Sequence, residues 1–282
     1  MQVVYTGADW HEYWLRSIKS NKSIGLVPTM GALHEGHLDL VRKAKEESDI
    51  VVVSIFVNPT QFNNQEDFEN YPNTLESDLD KLSNENVDFV FVPDTKTIYP
   101  EKPVININFG ELERVLEGTF RPGHFNGVGI VVSKLFNLIR PHKAFFGQKD
   151  LQQTGIIKQL VKDLSMEVEL IIVPTRREED GLAMSSRNMR LSTEERNQSL
   201  ILINSLMKAK QELLAGKQWF EVQNQIKCDF EEKPLASLEY FELIHPERFT
   251  RYSKFDENQK SSICVAAYLG KIRLIDNLPI IP

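Results

Sequence analysis

Cysteine is scarce in this chain of 282 residues. Cys228 and Cys264 lie far apart, without the close spacing of a redox pair or a zinc knuckle. Neither a disulfide framework nor a cysteine-ligated metal site is therefore expected. Two free thiols are typical of a reducing compartment, and we expect the protein to be cytoplasmic.

The chain also lacks long apolar runs and an excess of positive charge. No run approaches the roughly 20 apolar residues that a membrane-spanning helix needs, and the first residues have no apolar signal core. The 33 basic and 40 acidic side chains give a net charge of −7. Apart from the adjacent Arg176 and Arg177, the basic residues are scattered and form no stripe that could follow a nucleic-acid backbone. We therefore expect neither a membrane nor a nucleic acid as a partner.

Two common nucleotide-binding motifs are incomplete. Gly31 and Gly36 have the spacing of the G-x-x-x-x-G-K-S/T phosphate loop, but His37 stands where the lysine belongs. Gly127 and Gly129 begin a G-x-G-x-x-G pattern whose third glycine is absent. The sequence therefore favours neither a kinase-type phosphate loop nor an NAD site.

The apolar pattern predicts alternating strands and helices over the first 175 or so residues. A capping box at Asn73 and Glu76 is predicted to start one of the helices, and another helix is predicted around 131–139. Strands without a polar face belong inside a parallel sheet that helices cover on both sides. We expect an α/β fold with a doubly wound, Rossmann-like parallel sheet. The predicted strands are 24–27, 50–57, 87–92, 144–146 and 168–173.

This alternation stops beyond residue 175. Ser192 and Glu195 form a predicted capping box for one long helix to about Leu214, which Gly216 ends. A second helix near 219–230 and strands near 238–244, 263–269 and 272–275 follow. We therefore expect a Rossmann-like domain of residues 1–175, a smaller α+β lid domain of residues 176–282, and a hinge or clamp loop at about 174–188.

His34 and His37 give the strongest local indication of function. They lie three residues apart where the first predicted strand gives way to a helix. At this spacing the imidazoles share one helix face, above backbone N–H groups at the positive end of the helix dipole. Such a place suits a phosphate. Taken alone, the pair also fits zinc ligands or ordinary surface histidines, although no third zinc ligand is recognisable.

Two further polar segments also have two interpretations each. Gly147, Gln148, Lys149 and Asp150 follow a predicted strand, where the lysine either neutralises phosphate charge or is a solvated helix-start residue. Residues 184–187, Met-Ser-Ser-Arg, suit either a mobile phosphate clamp or the cap of an ordinary turn. Together with the histidines, the segments favour a nucleotide site more strongly than any one of them does.

These motifs resemble the nucleotidyl-transferring superfamily whose first motif is H-x-G-H and whose later motif resembles K-M-S-K-S. The closer resemblance is to the pantothenate synthetase family. Matching blocks extend along nearly the whole chain, at residues 27–37, 58–62, 71–72, 121–127, 147–153 and 180–188. Arg176 departs from the pattern, because many relatives carry an apolar residue at that position.

The resemblance implies ATP-dependent condensation of pantoate with β-alanine to pantothenate, AMP and pyrophosphate, through a noncovalent pantoyl adenylate. It implies catalytic roles for His37, His34 and Lys149, and a homodimer. For pantoate it implies Gln61 and Gln153, with Tyr71 and Arg121 as weaker candidates. The implied ATP-binding residues are Met30, Gly31, Ala32, Leu33, His34, Glu35, Gly36, His37, Gly147, Gln148, Lys149, Asp150, Arg176, Met184, Ser185, Ser186 and Arg187. Mg²⁺ is expected to organise the ATP phosphates, but the sequence does not reveal its protein ligands.

Two alternatives remain open at this point. Another adenylyl or cytidylyl transferase of the same superfamily would stop at a stable nucleotidyl product. A nucleotide sensor or scaffold would keep the nucleotide crevice without turnover, although the intact histidines, Lys149 and serine-arginine segment favour an enzyme.

Overall fold

A computed structural model describes residues 1–63 and 68–281. The chain divides into two compact units. The N-terminal unit contains residues 1–148 and 156–174, and the C-terminal unit contains residues 149–155 and 175–282. Residues 149–155, which lie in the middle of the α/β sequence pattern, thus group with the C-terminal unit. The functions expected of the two predicted domains stay predictions.

The N-terminal unit is built on a parallel sheet that has six strands within the described residues. Its strands are β1 (Gln2–Val4), β2 (Ile24–Thr29), β3 (Ile50–Ile55), β4 (Phe89–Phe91), β5 (Lys143–Gly147) and β6 (Glu169–Val173). Their order across the sheet is β1-β4-β3-β2-β5-β6, and every pairing is parallel. All residues of β3 are buried, as expected of a strand with both faces covered. The predicted doubly wound α/β fold is confirmed.

Helices supply the cover on both faces of this sheet. The helices described in this part of the chain are α1 (Gly7–Lys19), α2 (Glu35–Glu47), Leu75–Asn84, Thr95–Ile98, Glu117–Phe120, His124–Ile139 and Leu151–Asp163, the last divided between the two units. Val52 belongs to one buried apolar cluster, whereas Val51 and Val53 belong to another, because successive strand residues point to opposite faces. The first cluster includes apolar residues of α1, and the second includes those of α2.

The start of the N-terminal unit and one capping box differ from the prediction. The sequence pattern missed β1 and α1, although Thr6 and Asp9 form a capping box in which Asp9 N–H donates to Thr6 Oγ1 at 3.1 Å. The capping box predicted at Asn73 and Glu76 is wrong. Thr74 is the N-cap of the helix Leu75–Asn84 and makes no side-chain capping bond, because its hydroxyl donates to Asp78 at 3.1 Å.

The helix predicted around 131–139 begins earlier, at His124, and ends at Ile139. Gly127 and Gly129 weaken a helix prediction, because glycine lowers helix propensity. The structure gives Gly127 a packing role instead. A Cβ atom at this position would lie 2.3 Å from the carbonyl oxygen of Thr60, so only glycine allows the helix to lie this close to the segment Pro59–Gln61.

The C-terminal unit combines helices with an antiparallel sheet. The helices are Thr193–Ser199, Ile201–Leu214 and Trp219–Glu231, and the strands β7 (Ala236–Ile244), β8 (Ser261–Leu269) and β9 (Ile272–Ile281) lie in the order β7-β8-β9. Apolar residues from the helices Ile201–Leu214 and Trp219–Glu231 and from the three strands form one buried cluster. The predicted α+β arrangement is confirmed. No helix in the described ranges has the length and apolar character needed to cross a membrane.

Two boundaries in this unit differ from the prediction. The capping box of Ser192 and Glu195 is confirmed, but the single long helix is wrong, because one helix ends at Ser199 and the next begins at Ile201. The buried Ser199 hydroxyl donates to the carbonyl of Arg196 at 2.7 Å, and a bond of this kind competes with helix continuation. Strand β9 also runs beyond the predicted end at 275, through Asp276 and Asn277.

Replacing Gly127 by alanine is expected to lower the free energy of unfolding by about 1–3 kcal/mol. The added methyl group would have to displace the backbone of Thr60. Denaturant unfolding followed by circular dichroism measures the change. Asn137→Ala, at an exposed position of the same helix, is the matched control and should stay within about 0.5 kcal/mol of the unmodified protein. Equal stability of the two variants would contradict the close approach.

Candidate functional site

Two predicted site segments follow neighbouring strands of the parallel sheet. β2 pairs with β3 on one side and with β5 on the other, so the strand order reverses between β2 and β5. In open parallel sheets, ligands bind outside the carboxyl ends of the strands at such a switch point. Residues 30–37 follow β2, and Gly147 and Gln148 lie at the end of β5. The topology therefore places both segments at the edge of the sheet where a ligand crevice is expected.

His34 and His37 lie together at the start of α2. His34 is the N-cap residue, and the two ring centroids are 4.0 Å apart. The backbone N–H of His34 donates to Nδ1 of His37 at 3.3 Å. A neutral imidazole that accepts at Nδ1 carries its proton on Nε2. This contact favours the tautomer in which a neutral His37 donates through Nε2.

The loop between β2 and α2 is held by a buried carboxylate. Asp78 has no exposed surface, and its two oxygens accept the N–H groups of Ala32 and Leu33, each at 2.8 Å. Lys81, on the same helix, donates to the carbonyl of Leu33 at 2.7 Å. One helix therefore fixes both the N–H and the C=O groups of the residues just before His34. The sequence pattern indicated no site role for Asp78 or Lys81.

This loop has an unusual backbone conformation that the carboxylate supports. Gly31 and Ala32 have φ values of +82° and +51°, and a left-handed conformation is costly at alanine. The hydrogen bond from Ala32 to Asp78 offsets part of that cost. Because the N–H groups of Ala32 and Leu33 already have an acceptor, a phosphate at this loop would depend on the first turn of α2 and on the imidazoles.

Gln61 lies beside the same loop. Its Nε2 is 2.7 Å from Sδ of Met30, and its Oε1 accepts a hydrogen bond from Nδ2 of Asn58 at 3.2 Å. Asn58 is 1% exposed, and its Oδ1 accepts from the hydroxyl of Tyr99 at 2.9 Å. Burial raises the pKa of the Tyr99 hydroxyl, while its hydrogen bonds to Thr60 and Asn58 oppose the rise. A buried network of neutral groups therefore holds the Gln61 side chain against Met30.

The main chain of Gln61 is held from the other side. Nδ1 of His124 lies 2.8 Å from the Gln61 carbonyl oxygen, and Nη2 of Arg121 donates to that oxygen at 3.4 Å. Arg121 also pairs with Glu117 at 3.3 Å. Arg121 therefore contacts the backbone of Gln61 and not its side-chain amide. Asn58 and His124 were not predicted as site residues, although both lie in blocks that carry the family resemblance.

The remaining predicted residues of this unit have less specific surroundings. Tyr71 is half-buried, and its ring meets Phe62 edge-on with centroids 5.8 Å apart. Gly147 is a position at which a Cβ atom would meet nothing within 4 Å, so the end of β5 is open there. The N-terminal unit thus brings together His34 with His37, and Met30 with Gln61.

The C-terminal unit contains the other predicted site residues. Lys149 and Asp150 belong to the short turn Gln148–Asp150, and Gln153 follows in the helix Leu151–Asp163. Arg176 is exposed, and its carbonyl oxygen accepts the N–H of Met184 at 3.0 Å.

Residues 184–187 lead into a short 3₁₀ helix, Ser186–Arg190. Ser185 is its N-cap, and the Ser185 hydroxyl accepts the N–H of Arg187 at 3.3 Å. Ser185 therefore caps a turn, which is one of the two interpretations that the sequence left open. Contact of the same segment with phosphate stays a prediction.

The described residues offer no ready metal centre. Across residues 1–63 and 68–281, no group of three or more His, Cys, Asp or Glu side chains is arranged to hold a metal ion. The two site histidines are thus not accompanied by a third ligand in this part of the chain. The Mg²⁺ expected from the sequence stays a prediction.

Comparison with known proteins gives one consistent family. The pantoate-β-alanine ligase family model matches residues 2–279. A pantothenate synthetase from Fervidobacterium nodosum is 46% identical over 278 residues, which is 99% of each chain.

Solved structures show the same fold over the same length. The crystal structure of pantothenate synthetase from Thermus thermophilus matches with a TM-score of 0.92 and 39% identity, covering 100% of both chains. Pantoate-β-alanine ligase from Francisella tularensis, complexed with β-γ ATP and β-alanine, matches with a TM-score of 0.84 and 38% identity, covering 99% of this chain and 98% of that one. With sequence, fold and full length in agreement, the chain belongs to the pantoate-β-alanine ligase family.

Proposed function

We propose that this protein joins pantoate to β-alanine at the expense of ATP, forming pantothenate, AMP and pyrophosphate. The family match over residues 2–279 is the observation that carries this proposal. The Francisella tularensis relative, complexed with β-γ ATP and β-alanine, supports the choice of ATP and β-alanine as substrates. The arrangement of His34, His37 and Gln61 at one end of the sheet supports a site for a phosphate and a small polar acid.

The first half-reaction activates the acid. A pantoate carboxylate oxygen attacks the α-phosphorus of ATP, the bond from that phosphorus to the bridging oxygen breaks, and pyrophosphate leaves with the electron pair. The product is pantoyl adenylate, a mixed anhydride that is held without a covalent bond to the protein. Activation is needed because a free carboxylate has no adequate leaving group for attack by an amine.

Charge develops on the phosphoryl oxygens during this step, and donors fixed in advance stabilise it. His37 presents Nε2–H because its Nδ1 accepts from the backbone, so it is our principal candidate donor. His34 and Lys149 are the other candidates, the lysine through its positive charge. Gln61 is assigned to pantoate, because a neutral amide can donate to a carboxylate and accept from hydroxyls.

The second half-reaction forms the amide. The neutral amine of β-alanine attacks the acyl carbon, the bond from that carbon to the AMP oxygen breaks with its electron pair on AMP, and the nitrogen releases a proton to solvent. Water competes for the same carbon, so alignment of the amine and exclusion of water favour the amide product. We propose that residues 184–187 close over the phosphates to provide this exclusion.

ATP enters this scheme as its complex with Mg²⁺, which prefers oxygen ligands and keeps several waters. The phosphates of the substrate supply such ligands. The homodimer and the cytoplasmic location expected from the sequence stay predictions.

Pantoate labelled with ¹⁸O in its carboxyl group tests the adenylate. We expect one labelled oxygen to appear in AMP and the other to remain in pantothenate, because the attacking oxygen stays on phosphorus when the amide forms. Mass spectrometry of both products measures the transfer. The label should reach AMP only when β-alanine is supplied in multiple-turnover reactions.

Other outcomes of this experiment separate the alternatives. Unlabelled AMP would contradict the adenylate route. A stable nucleotidyl product that accumulates without an amine would instead indicate a nucleotidyl transferase. Binding of ATP with no turnover would indicate a sensor.

Replacing His37 by alanine is expected to lower kcat by about 100- to 1,000-fold, because one fixed donor to the developing charge is lost. The unfolding temperature should change little, since His37 is only partly buried. Steady-state kinetics and thermal unfolding measure the two effects. His37→Gln keeps a neutral N–H group near the Nε2 position and should recover part of the rate.

His11→Ala is the matched control, because it removes an exposed imidazole elsewhere in the same unit. It should retain the rate of the unmodified protein. A His37→Ala rate that falls only in proportion to lost folded protein would show that the ring is structural.

A further inference from the structure

Two adjacent polar residues of β9 are buried. Asp276 and Asn277 are 2% and 3% exposed, and they pair with Val265 and Cys264 of β8. Aspartate and asparagine are poor strand formers, and a carboxylate is rarely buried without a partner. Their burial therefore indicates that each has a specific partner. Each partner is a predicted site residue or the neighbour of one.

Asp276 is paired with Arg177. Nη1 of Arg177 donates to Oδ2 at 2.7 Å and Nη2 donates to Oδ1 at 3.0 Å, a bidentate geometry that fixes the orientation of the guanidinium. The backbone N–H of Asn277 donates to Oδ1 at 2.7 Å. The carboxylate thus has both oxygens engaged inside the C-terminal unit.

Arg177 extends this contact into the chain segment before residues 184–187. Its Nη1 also donates to the carbonyl of Gly181 at 3.0 Å. Arg177 forms a β-bridge with Ala183, and the N–H of Met184 donates to the carbonyl of Arg176 at 3.0 Å. The ion pair therefore connects the turn before Met184 to strand β9.

Asn277 holds the other predicted segment. Its Nδ2 donates to the backbone carbonyl of Lys149 at 2.9 Å. Burial raises the pKa of the Asp276 carboxyl, and the hydrogen bond and charge of Arg177 and the weaker charge of Lys149 oppose the rise. Two adjacent residues of one strand therefore contact segments that are distant in sequence.

We infer that Asp276 and Asn277 are positioning residues, which fix the Lys149 backbone and the segment 184–187 relative to each other for binding of the ATP phosphates. This inference rests on the proposed function, because it takes both segments as the ATP-binding residues of the C-terminal unit. Neither Asp276 nor Asn277 touches the substrate in this scheme. They act through Lys149 and through the turn that Arg177 closes.

Asn277→Ala tests the link to Lys149. We expect ATP affinity and kcat to fall by about 10- to 100-fold, because small displacements of a catalytic group have effects of this size. In a Lys149→Ala background the same change should add no more than about a twofold loss, since the residue it positions is absent. Titration calorimetry with ATP and steady-state kinetics measure the four proteins of this cycle.

Ser261→Ala is the control for this cycle, because Ser261 is a buried polar residue of the neighbouring strand β8 and its hydroxyl has no hydrogen-bond partner among the described residues. It should leave ATP affinity and kcat unchanged. Losses that multiply in the Asn277→Ala, Lys149→Ala double variant would overturn the inference, because they would show that Asn277 acts independently of Lys149.

A second variant tests the ion pair without leaving a lone buried charge. Arg177→Met combined with Asp276→Leu replaces the pair by apolar side chains, a change that often preserves stability. We expect a folded protein whose ATP affinity is at least about tenfold weaker, because the Arg177 guanidinium no longer connects the turn before Met184 to β9. A folded double variant with the ATP affinity and rate of the parent would overturn this part of the inference.

The two proposals fail in different ways. A parent protein that binds ATP but forms no pantothenate would refute the proposed function, and the ATP affinities of the variants would then decide the inference alone. Pantothenate formation by the parent, with equal affinity and rate in Asn277→Ala, would refute the inference and leave the proposed function in place.

Discussion

The pairing of β2 with β3 on one side and with β5 on the other is the constraint on which the N-terminal site depends. Chain segments that leave two such neighbouring strands emerge at the same edge of the sheet, because all the strands run in parallel. This arrangement places residues 30–37 and Gly147 near one another through backbone pairing. The two buried clusters on either face of the sheet stabilise the pairing, so the position of the site follows from the core.

Buried polar groups then fix the local geometry that the sheet leaves undetermined. Asp78 holds the loop before His34, and Asn58 holds Gln61. In the C-terminal unit, Asp276 and Asn277 hold the turn before Met184 and the backbone of Lys149. Burying such groups costs free energy unless they are hydrogen-bonded, and each of these side chains reaches a specific partner. In both units the predicted ligand-binding residues include loop residues and residues at helix starts, and the side chains that hold these segments are buried.

Fold and site differ in how much of each could be predicted. The apolar strands, the helices between them and the change to α+β were predictable, because burial on two faces produces continuous apolar runs. The start of the helix at His124 was not, because the advantage of Gly127 lies in its contact with Thr60, which is distant in sequence. The length of β9 was missed for a similar reason. Local propensity ends a strand at Asp276, and the ion pair with Arg177 allows it to continue.

The class of fold, the H-x-G-H segment at a strand-to-helix junction and the family were predictable from the residues alone, because these depend on residue types at short spacings. The tertiary structure was needed to show that Nδ1 of His37 faces the backbone N–H of His34, which carboxylate holds the loop before His34, and which strand carries the partners of Lys149 and Arg177. These features are contacts between residues that are far apart in the chain or that require one backbone geometry. Only the folded chain brings such groups within hydrogen-bonding distance.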